Sequence, residues 1–145
     1  MRAPMRAPKR ITKTFQPDFV PKIISLSKIT TIRGFPKRPG DMPAAKDILD
    51  FRQWSDKPYR SKQLRIATAE IVRVEEMELA PHFIAIGDQV TMERADLDGY
   101  ARNDGFGDWK SLILWFRLNH GTDRFTGIII EWDPATLTIT ATDES

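Results

Sequence analysis

The chain has 145 residues and no cysteine, which suits one domain with a real core and excludes disulfides and thiolate metal sites. Hydrophobic residues make up 41% and charged residues 29%, as in ordinary globular proteins. No apolar run approaches the roughly 20 residues that span a bilayer. The N-terminus lacks the apolar stretch of a secretory signal, so we expect a cytoplasmic protein with no membrane partner.

The net charge of +2 is the sum of a basic first half and an acidic second half of the chain. Residues 1–70 hold 16 Lys/Arg against 6 Asp/Glu, a net +10, whereas residues 71–145 hold 6 against 14, a net −8. Such an asymmetry predicts that the first half supplies a surface for polyanions. The alternative is that the two halves neutralise each other in the folded state.

The N-terminal segment predicts an arm followed by a helix. Residues 1–14 open with a tandem Met-Arg-Ala-Pro repeat, and their basic, proline-rich composition predicts a disordered arm. The helical spacing of Phe19 and Ile23 predicts an amphipathic helix over 15–27, with Asp18 as its N-cap.

The segments that follow alternate between strands and loops. Residues 65–79 form the longest predicted strand, because β-branched residues recur there with period two. The others are a strand over 28–33, a Pro/Gly-rich loop over 34–45, a strand over 47–54 and a basic loop over 57–62.

A helix over 108–119 is predicted from its caps and its spacing. Asp108 suits the N-cap position, and Gly121 suits the end of the helix. The stripe expected to face the core is Trp109, Leu112, Ile113 and Phe116.

The remaining segments complete the pattern. They are a hairpin over 82–92, a short helix over 96–102, a buried strand over 125–132 and an edge strand over 136–140. Many strands, two or three helices and no regular βαβ alternation predict an α+β fold with a mainly antiparallel sheet.

Residues 28–33 carry the first candidate site. Alternation in a strand places Lys28 and Thr30 on one face and Thr31 and Arg33 on the other. Because Lys28 stands where the strand begins, it could still bend toward Thr31. A lysine beside a threonine hydroxyl suits a base and nucleophile pair, and a basic strand edge equally suits a phosphate grip.

A second candidate site is a basic mouth built from the loops 34–45 and 57–62. If these loops lie side by side, their cations could bind phosphates and one aromatic ring could stack on a base. The residues expected to bind a nucleic acid or a related ligand are Arg33, Lys37, Arg38, Tyr59, Arg60 and Lys62. The only histidines, His82 and His120, have no ligand-like neighbours, so no metal or cofactor is expected.

Three separated blocks of this chain follow one another in a characteristic order. A predicted helix is followed by Lys28, Thr31 and Arg33, and then by the pair Gly40-Asp41. The later blocks are Asp104-Gly105-Phe106 and the strand 125–132. Together these blocks resemble the ASCH domain family of the PUA-like superfamily, and the similarity covers residues 15–133. It implies a PUA-like β-barrel of mainly antiparallel strands with two or three flanking helices.

The resemblance also sets the expected domain boundaries. The ASCH-like domain is expected over 15–135, preceded by the disordered basic arm 1–14 and followed by an edge strand and frayed tail over 136–145.

One branch of the family is similar to bacterial acetylcytidine amidohydrolases. That resemblance implies a catalytic set of Lys28 as the base, Thr31 as the nucleophile and Asp104 as the acidic residue, where the branch uses Glu. Asp104 would orient Lys28 or hydrogen-bond the exocyclic amine of the substrate. The family usually places Gly two residues before the lysine, whereas this chain has Leu26.

Three functions remain open on the sequence. The first is an RNA- or nucleotide-binding module with a basic cleft, and the second is an amidohydrolase that removes an acyl group from cytidine-type nucleosides. The third is a protein-interaction module, which would need an exposed apolar patch. Binding alone leaves Thr31 dispensable, whereas hydrolysis does not.

Overall fold

The computed structural model describes residues 7–140, which form eight strands and three α-helices. The strands are β1 (Arg10–Thr14), β2 (Thr30–Arg33), β3 (Ile48–Trp54), β4 (Gln63–Ala80), β5 (Phe83–Ile86), β6 (Gln89–Thr91), β7 (Phe125–Trp132) and β8 (Thr138–Ile139). The helices are α1 (Val20–Ile24), α2 (Arg94–Asn103) and α3 (Trp109–His120). The predicted α+β class is confirmed.

The long strand β4 organises the sheet. Its first half pairs with β3 and β8, and its second half pairs with β7 and β5. β2 adds to β7, and β6 adds to β5. Every pairing is antiparallel except that of β1 with β3, so the sheet is mainly antiparallel, as predicted.

The described strands do not close into a ring, so a barrel is not shown. Within residues 7–140, β1 pairs only with β3 and β2 pairs only with β7. A side chain links β1 and β2, which do not pair with each other within residues 7–140: Arg33 Nη2 in β2 donates to the Thr14 carbonyl oxygen at the end of β1, at 2.8 Å.

The prediction of a disordered arm is wrong for Arg10–Thr14, because these residues form β1. These residues run parallel to β3, and Ile11 is buried in the core. The pairing partner lies about forty residues away along the chain, so the proline-rich local composition did not reveal it. Residues 1–6 of the arm and 141–145 of the tail lie outside the described residues.

The helix predicted over 15–27 is much shorter in the structure. A 3₁₀ turn at Pro17–Phe19 leads into the five residues of α1, and Asp18 makes no side-chain cap. Phe15 instead joins the sheet, where its N–H donates to the Arg52 carbonyl at 2.8 Å. At its C-terminal end, the helix cannot continue through Leu26, whose φ of 67° is left-handed and incompatible with a right-handed helix.

The remaining predicted segments are confirmed, with shifted ends. β3, β4, the β5–β6 hairpin, α2 and β7 lie where the sequence predicts them, and the edge strand shrinks to β8. None of the helices within residues 7–140 has the length and apolar character needed to cross a bilayer.

Residues 7–140 contain two apolar clusters, and the helix α3 packs on the sheet as part of one of them. Its predicted stripe of Trp109, Leu112, Ile113 and Phe116 is fully buried, against side chains of β4, β5 and α2. Asp108 caps the helix by accepting from the Ser111 N–H at 2.8 Å, and Gly121 ends it with a φ of 71°. The second cluster lies between β1, β3, β4 and β7 around Phe51 and Trp132.

We predict that Leu112→Ala lowers the free energy of unfolding by about 2–5 kcal/mol, because it empties a fully buried site. Leu118→Ala is the matched control: Leu118 lies on the same helix but is 76% exposed, and its loss should cost less than about 0.5 kcal/mol. Urea denaturation of the two variants measures both values. Equal costs would contradict the burial of this helix face.

Candidate functional site

Lys28 is buried within the fold, with only 2% of its surface exposed. Its ammonium nitrogen Nζ donates to the Thr30 carbonyl at 2.8 Å and to the Asp104 carbonyl at 2.6 Å. It also lies 3.6 Å from Asp104 Oδ1 and 4.7 Å from the centre of the Phe19 ring. A buried lysine needs such partners, because leaving water disfavours its charged form.

Asp104 follows the C-terminal end of α2 and meets the start of β2. A single antiparallel bridge pairs Asp104 with Lys28, and the Ile29 N–H donates to the Asn103 carbonyl at 2.7 Å. The carboxylate oxygen Oδ1 accepts from the Thr30 hydroxyl at 2.8 Å. The end of a helix and the beginning of a strand therefore hold this buried carboxylate beside the lysine.

Gly105 makes room for the lysine side chain. Its φ of 96° belongs to the region that favours glycine, and a Cβ placed there would lie 3.1 Å from Lys28 Cδ. Its carbonyl oxygen also accepts a hydrogen bond from Lys22 Nζ. The Asp104-Gly105 pair therefore serves both the charge and the packing of Lys28.

Burial shifts the protonation of both partners toward the neutral form. Desolvation lowers the pKa of Lys28 to about 8, with smaller lowering effects from Arg33 and Lys22 that Asp104 opposes. Burial raises the pKa of Asp104, although Lys28, the Thr30 hydroxyl and Arg33 all act against it. The two shifts bring the proton affinities of the lysine and the carboxylate closer together.

Thr31 and Arg33 occupy the opposite face of β2, as the alternation predicts. Arg33 Nε donates to Thr31 Oγ1 at 3.2 Å, and the guanidinium lies 4.6 Å from the centre of the Phe15 ring. Burial lowers the pKa of Arg33 to about 10, so it remains charged at neutral pH. A fixed cation on a hydroxyl oxygen favours the alkoxide form of that hydroxyl.

One cavity of about 480 Å³ brings these groups together at the gap between β1 and β2. Its lining includes Lys28, Thr31 and Asp104, the three residues of the predicted catalytic set, and also Arg33. Within residues 7–140, however, Lys28 donates no hydrogen bond to Thr31. Cavities of roughly 300–1,000 Å³ are typical of small-molecule sites.

Aromatic rings form much of the rest of the cavity wall. Phe19, Phe106 and Trp115 contact one another with ring centres 5.6–6.0 Å apart. Trp54 and Tyr59 form a separate pair with ring centres 5.1 Å apart, and Tyr59 is 87% exposed. The rings offer flat apolar surfaces of the kind on which a nucleobase stacks.

The predicted basic mouth is only partly assembled. Arg33 and Tyr59 line the cavity, but the four other expected binding residues, which are Lys37, Arg38, Arg60 and Lys62, do not. All four are exposed, and Arg38 forms an ion pair with Asp41 at 3.3 Å. Gly34 and Tyr59 of these two loops line the cavity, whereas the four cationic side chains lie outside its lining.

Leu26 occupies the position where the ASCH resemblance expects glycine. Its φ of 67° is left-handed, which is the conformation that glycine adopts without strain. The turn before Lys28 therefore has a glycine-like backbone despite the leucine side chain. The N–H groups of Ser27 and Lys28 both donate to the Lys22 carbonyl and fix this turn.

The sequence did not identify three residues that shape the site. Thr30, rather than Thr31, bonds Asp104, although the alternation had placed Thr30 and Lys28 on one face. Phe19 and Trp115 line the cavity, but their role depends on how α1 packs against α3, which local spacing does not specify.

Histidines and carboxylates do not assemble into a metal centre within residues 7–140, where no group of three or more is placed to hold an ion. His120 lies against the rings of Trp115, Phe116 and Phe125. Comparisons with protein-family models, curated proteins and solved structures find no match. What the cavity can bind therefore follows from its own side chains.

We predict that Gly105→Ala destabilises the protein by about 1–3 kcal/mol, because alanine is strained at a positive φ and its Cβ would press on Lys28. Gly107→Ala is the matched control, since no atom lies within 4 Å of the added Cβ and the backbone there is not left-handed. Thermal and urea unfolding measure both changes. A Gly105→Ala variant as stable as Gly107→Ala would contradict this packing.

Proposed function

We propose that this protein binds a nucleotide-like ligand, either a free nucleoside or nucleotide or one nucleotide of an RNA, in the cavity between β1 and β2. The observation that supports this is the combination of aromatic walls with the buried Lys28, the half-buried Arg33 and the buried Asp104 carboxylate in a single cavity. Rings stack on bases, cations attract phosphates, and a carboxylate accepts the exocyclic amine of cytosine. We also propose that the domain is of the ASCH type, with a PUA-like arrangement of its strands.

Two features support the ASCH assignment beyond the order of the sequence blocks. Lys28 and Asp104 are far apart in the chain but form a β-bridge with each other. Leu26 keeps the left-handed backbone for which the family uses glycine.

Binding should depend on the exposed ring of Tyr59. We predict that Tyr59→Ala weakens the binding of cytidine monophosphate by about 1–3 kcal/mol, the usual contribution of base stacking, while stability is retained because the ring is exposed. Tyr59→Phe keeps the ring and should bind like the unaltered protein. Isothermal titration calorimetry measures the affinities, and equal affinities for all three proteins would remove Tyr59 from the site.

A second candidate function is an amidohydrolase acting on acylated cytidine, and the buried Lys28 with a pKa near 8 specifically favours it. In this reaction Thr31 Oγ1 attacks the acyl carbon while Lys28 accepts the hydroxyl proton. The C–N bond then breaks, Lys28 returns the proton to the leaving amine, and water releases the acyl group from Thr31. Arg33 would stabilise the developing charge on Oγ1, which it already contacts.

Asp104 would have a positioning role in that reaction. Its Oδ1 already accepts the Thr30 hydroxyl, so the exocyclic nitrogen of the substrate would hydrogen-bond to Oδ2. A tight pairing with Lys28 would work against the neutral lysine that the reaction needs. The separation of 3.6 Å between Nζ and Oδ1 is longer than a strong hydrogen bond.

We predict that hydrolysis, if the protein catalyses it, rises with pH through about 8 and then levels off, because Lys28 acts only after losing its proton. Release of cytidine from acetylated cytidine, followed on both sides of this pH, gives the profile of kcat/KM. Thr31→Ser keeps the hydroxyl and should retain activity, whereas Thr31→Ala should have none. Activity of Thr31→Ala would exclude the covalent route. If the unaltered protein shows no turnover, ligand binding is the one proposed function that stands.

A further inference from the structure

The outward-facing side of β3 carries an arginine cluster that the cavity does not use. Leu49 and Phe51 point into the core, so Asp50 and Arg52 lie on the opposite side of the strand. Asp50 is nevertheless fully buried, because guanidinium groups from three neighbouring strands cover it. They belong to Arg10 of β1, Arg52 of β3 and Arg65 of β4.

The contacts within this cluster are unequal. Arg10 Nε and Arg52 Nη2 each lie 3.0 Å from Asp50 Oδ2. Arg65 Nε lies 3.7 Å from Oδ1, beyond hydrogen-bond distance, and Oδ1 has no hydrogen-bond partner within the described part of the chain. Arg65 is therefore held near the carboxylate by charge, with its N–H donors largely free for another acceptor.

The cluster has more positive charge than its carboxylate can neutralise. Arg52 and Arg10 hold the pKa of Asp50 below its usual value despite its burial, so it carries one negative charge against three positive ones. Glu70 is on the same side of the sheet, opposite Ile48, but forms no ion pair with these arginines within residues 7–140. Two unpaired positive charges in one patch repel each other unless an anion binds there.

The arginine cluster is continuous with the cavity. Trp54 follows Arg52 by two residues in β3, which places it on the same side of the strand about 7 Å farther along. Trp54 lines the cavity and contacts the ring of Tyr59. A surface therefore runs from paired aromatic rings to a row of guanidinium groups, the combination that binds single-stranded nucleic acids.

Ion pairing does not cancel the positive charge of the first half of the chain. Among the ion pairs formed within residues 7–140, only Lys28–Asp104 joins the basic half to the acidic half. Within the described residues 7–140, the ion pairs of the arginine cluster go only to Asp50, which belongs to the same half. Its surplus charge is therefore available to a polyanion.

We propose that Arg10, Arg52 and Arg65 bind backbone phosphates of a single-stranded nucleic acid, one nucleotide of which occupies the cavity. This inference rests on the proposed function and extends it, because it selects a polymer over a free nucleoside as the ligand. Planar guanidinium groups suit phosphate oxygens, which accept two N–H donors at once. The aromatic pair would stack on the base next to the first bound phosphate.

Quenching of tryptophan fluorescence provides a label-free test, because Trp54 and Trp115 line the cavity. The probes are an oligocytidylate RNA of about six nucleotides and cytidine, which has no phosphate. We expect Arg65→Gln to weaken oligonucleotide binding roughly three- to ten-fold and to reduce the slope of log affinity against log salt by about 0.7. Cytidine affinity should stay unchanged.

Arg73→Gln is the matched control, since Arg73 lies in the same strand and its side chain is 42% exposed, against 45% for Arg65. It should leave both affinities as they are. Arg65→Lys keeps the charge and should retain most of the oligonucleotide affinity. Thermal unfolding checks the fold of Arg65→Gln, in which Asp50 still has Arg10 and Arg52.

Several outcomes would overturn the proposal. Cytidine that binds as tightly as the oligonucleotide would leave the proposed function standing but contradict the binding of backbone phosphates by the arginine cluster. So would an Arg65→Gln variant with an unchanged salt slope, or an Arg38→Gln/Arg60→Gln double variant that alone flattens it. If neither probe quenches the fluorescence, the proposed function fails and this inference fails with it.

Discussion

The buried contact between Lys28 and Asp104 is the interaction on which the arrangement around the cavity depends. An ammonium group can stay inside a protein only when acceptors replace the water that it loses. Here two carbonyl oxygens and one carboxylate do so, and they come from β2 and from the end of α2. Holding them in place requires the bridge between Lys28 and Asp104 and the glycine that follows it. The position of α2 relative to the sheet is therefore coupled to the charge of one side chain.

The edge strands β1 and β2 both contribute residues to the lining of the cavity. Within residues 7–140, β1 and β2 do not pair, but Arg33 Nη2 donates to the Thr14 carbonyl, and both residues line the cavity. Lys28, Thr31 and Asp104 are buried and Arg33 is half-buried, and hydrogen bonds within the fold hold each of these side chains. The exposed loop cations are not held in this way.

Much of the fold follows from local patterns in the chain. Period-two alternation and β-branched residues identify β4, and an aspartate cap, an apolar stripe and a terminal glycine identify α3. These patterns depend on residues close together in the chain, and the tertiary contacts of β4 and α3 agree with them. β1 escaped prediction because its contacts are long-range: it pairs in parallel with a strand that begins at Ile48, and Ile11 packs in the core. The helix before Lys28 was overestimated, since the sheet captures Phe15 and Leu26 turns the backbone.

The sequence by itself determined which side chains of β2 share a face, because strand alternation is a local rule. The position of Lys28 at the start of the strand left open that it bends toward Thr31, and the ASCH resemblance implied that the two residues serve one site. Only the tertiary structure decided that Asp104 reaches Lys28 and that Thr30 bonds it, since that contact joins elements more than seventy residues apart. The grouping of three arginines on Asp50 is likewise a product of strand order, because Arg10, Arg52 and Arg65 become neighbours only when β1, β3 and β4 lie side by side. The residue types indicate which chemistry the side chains can perform, whereas the contacts between these side chains depend on the long-range pairing of strands.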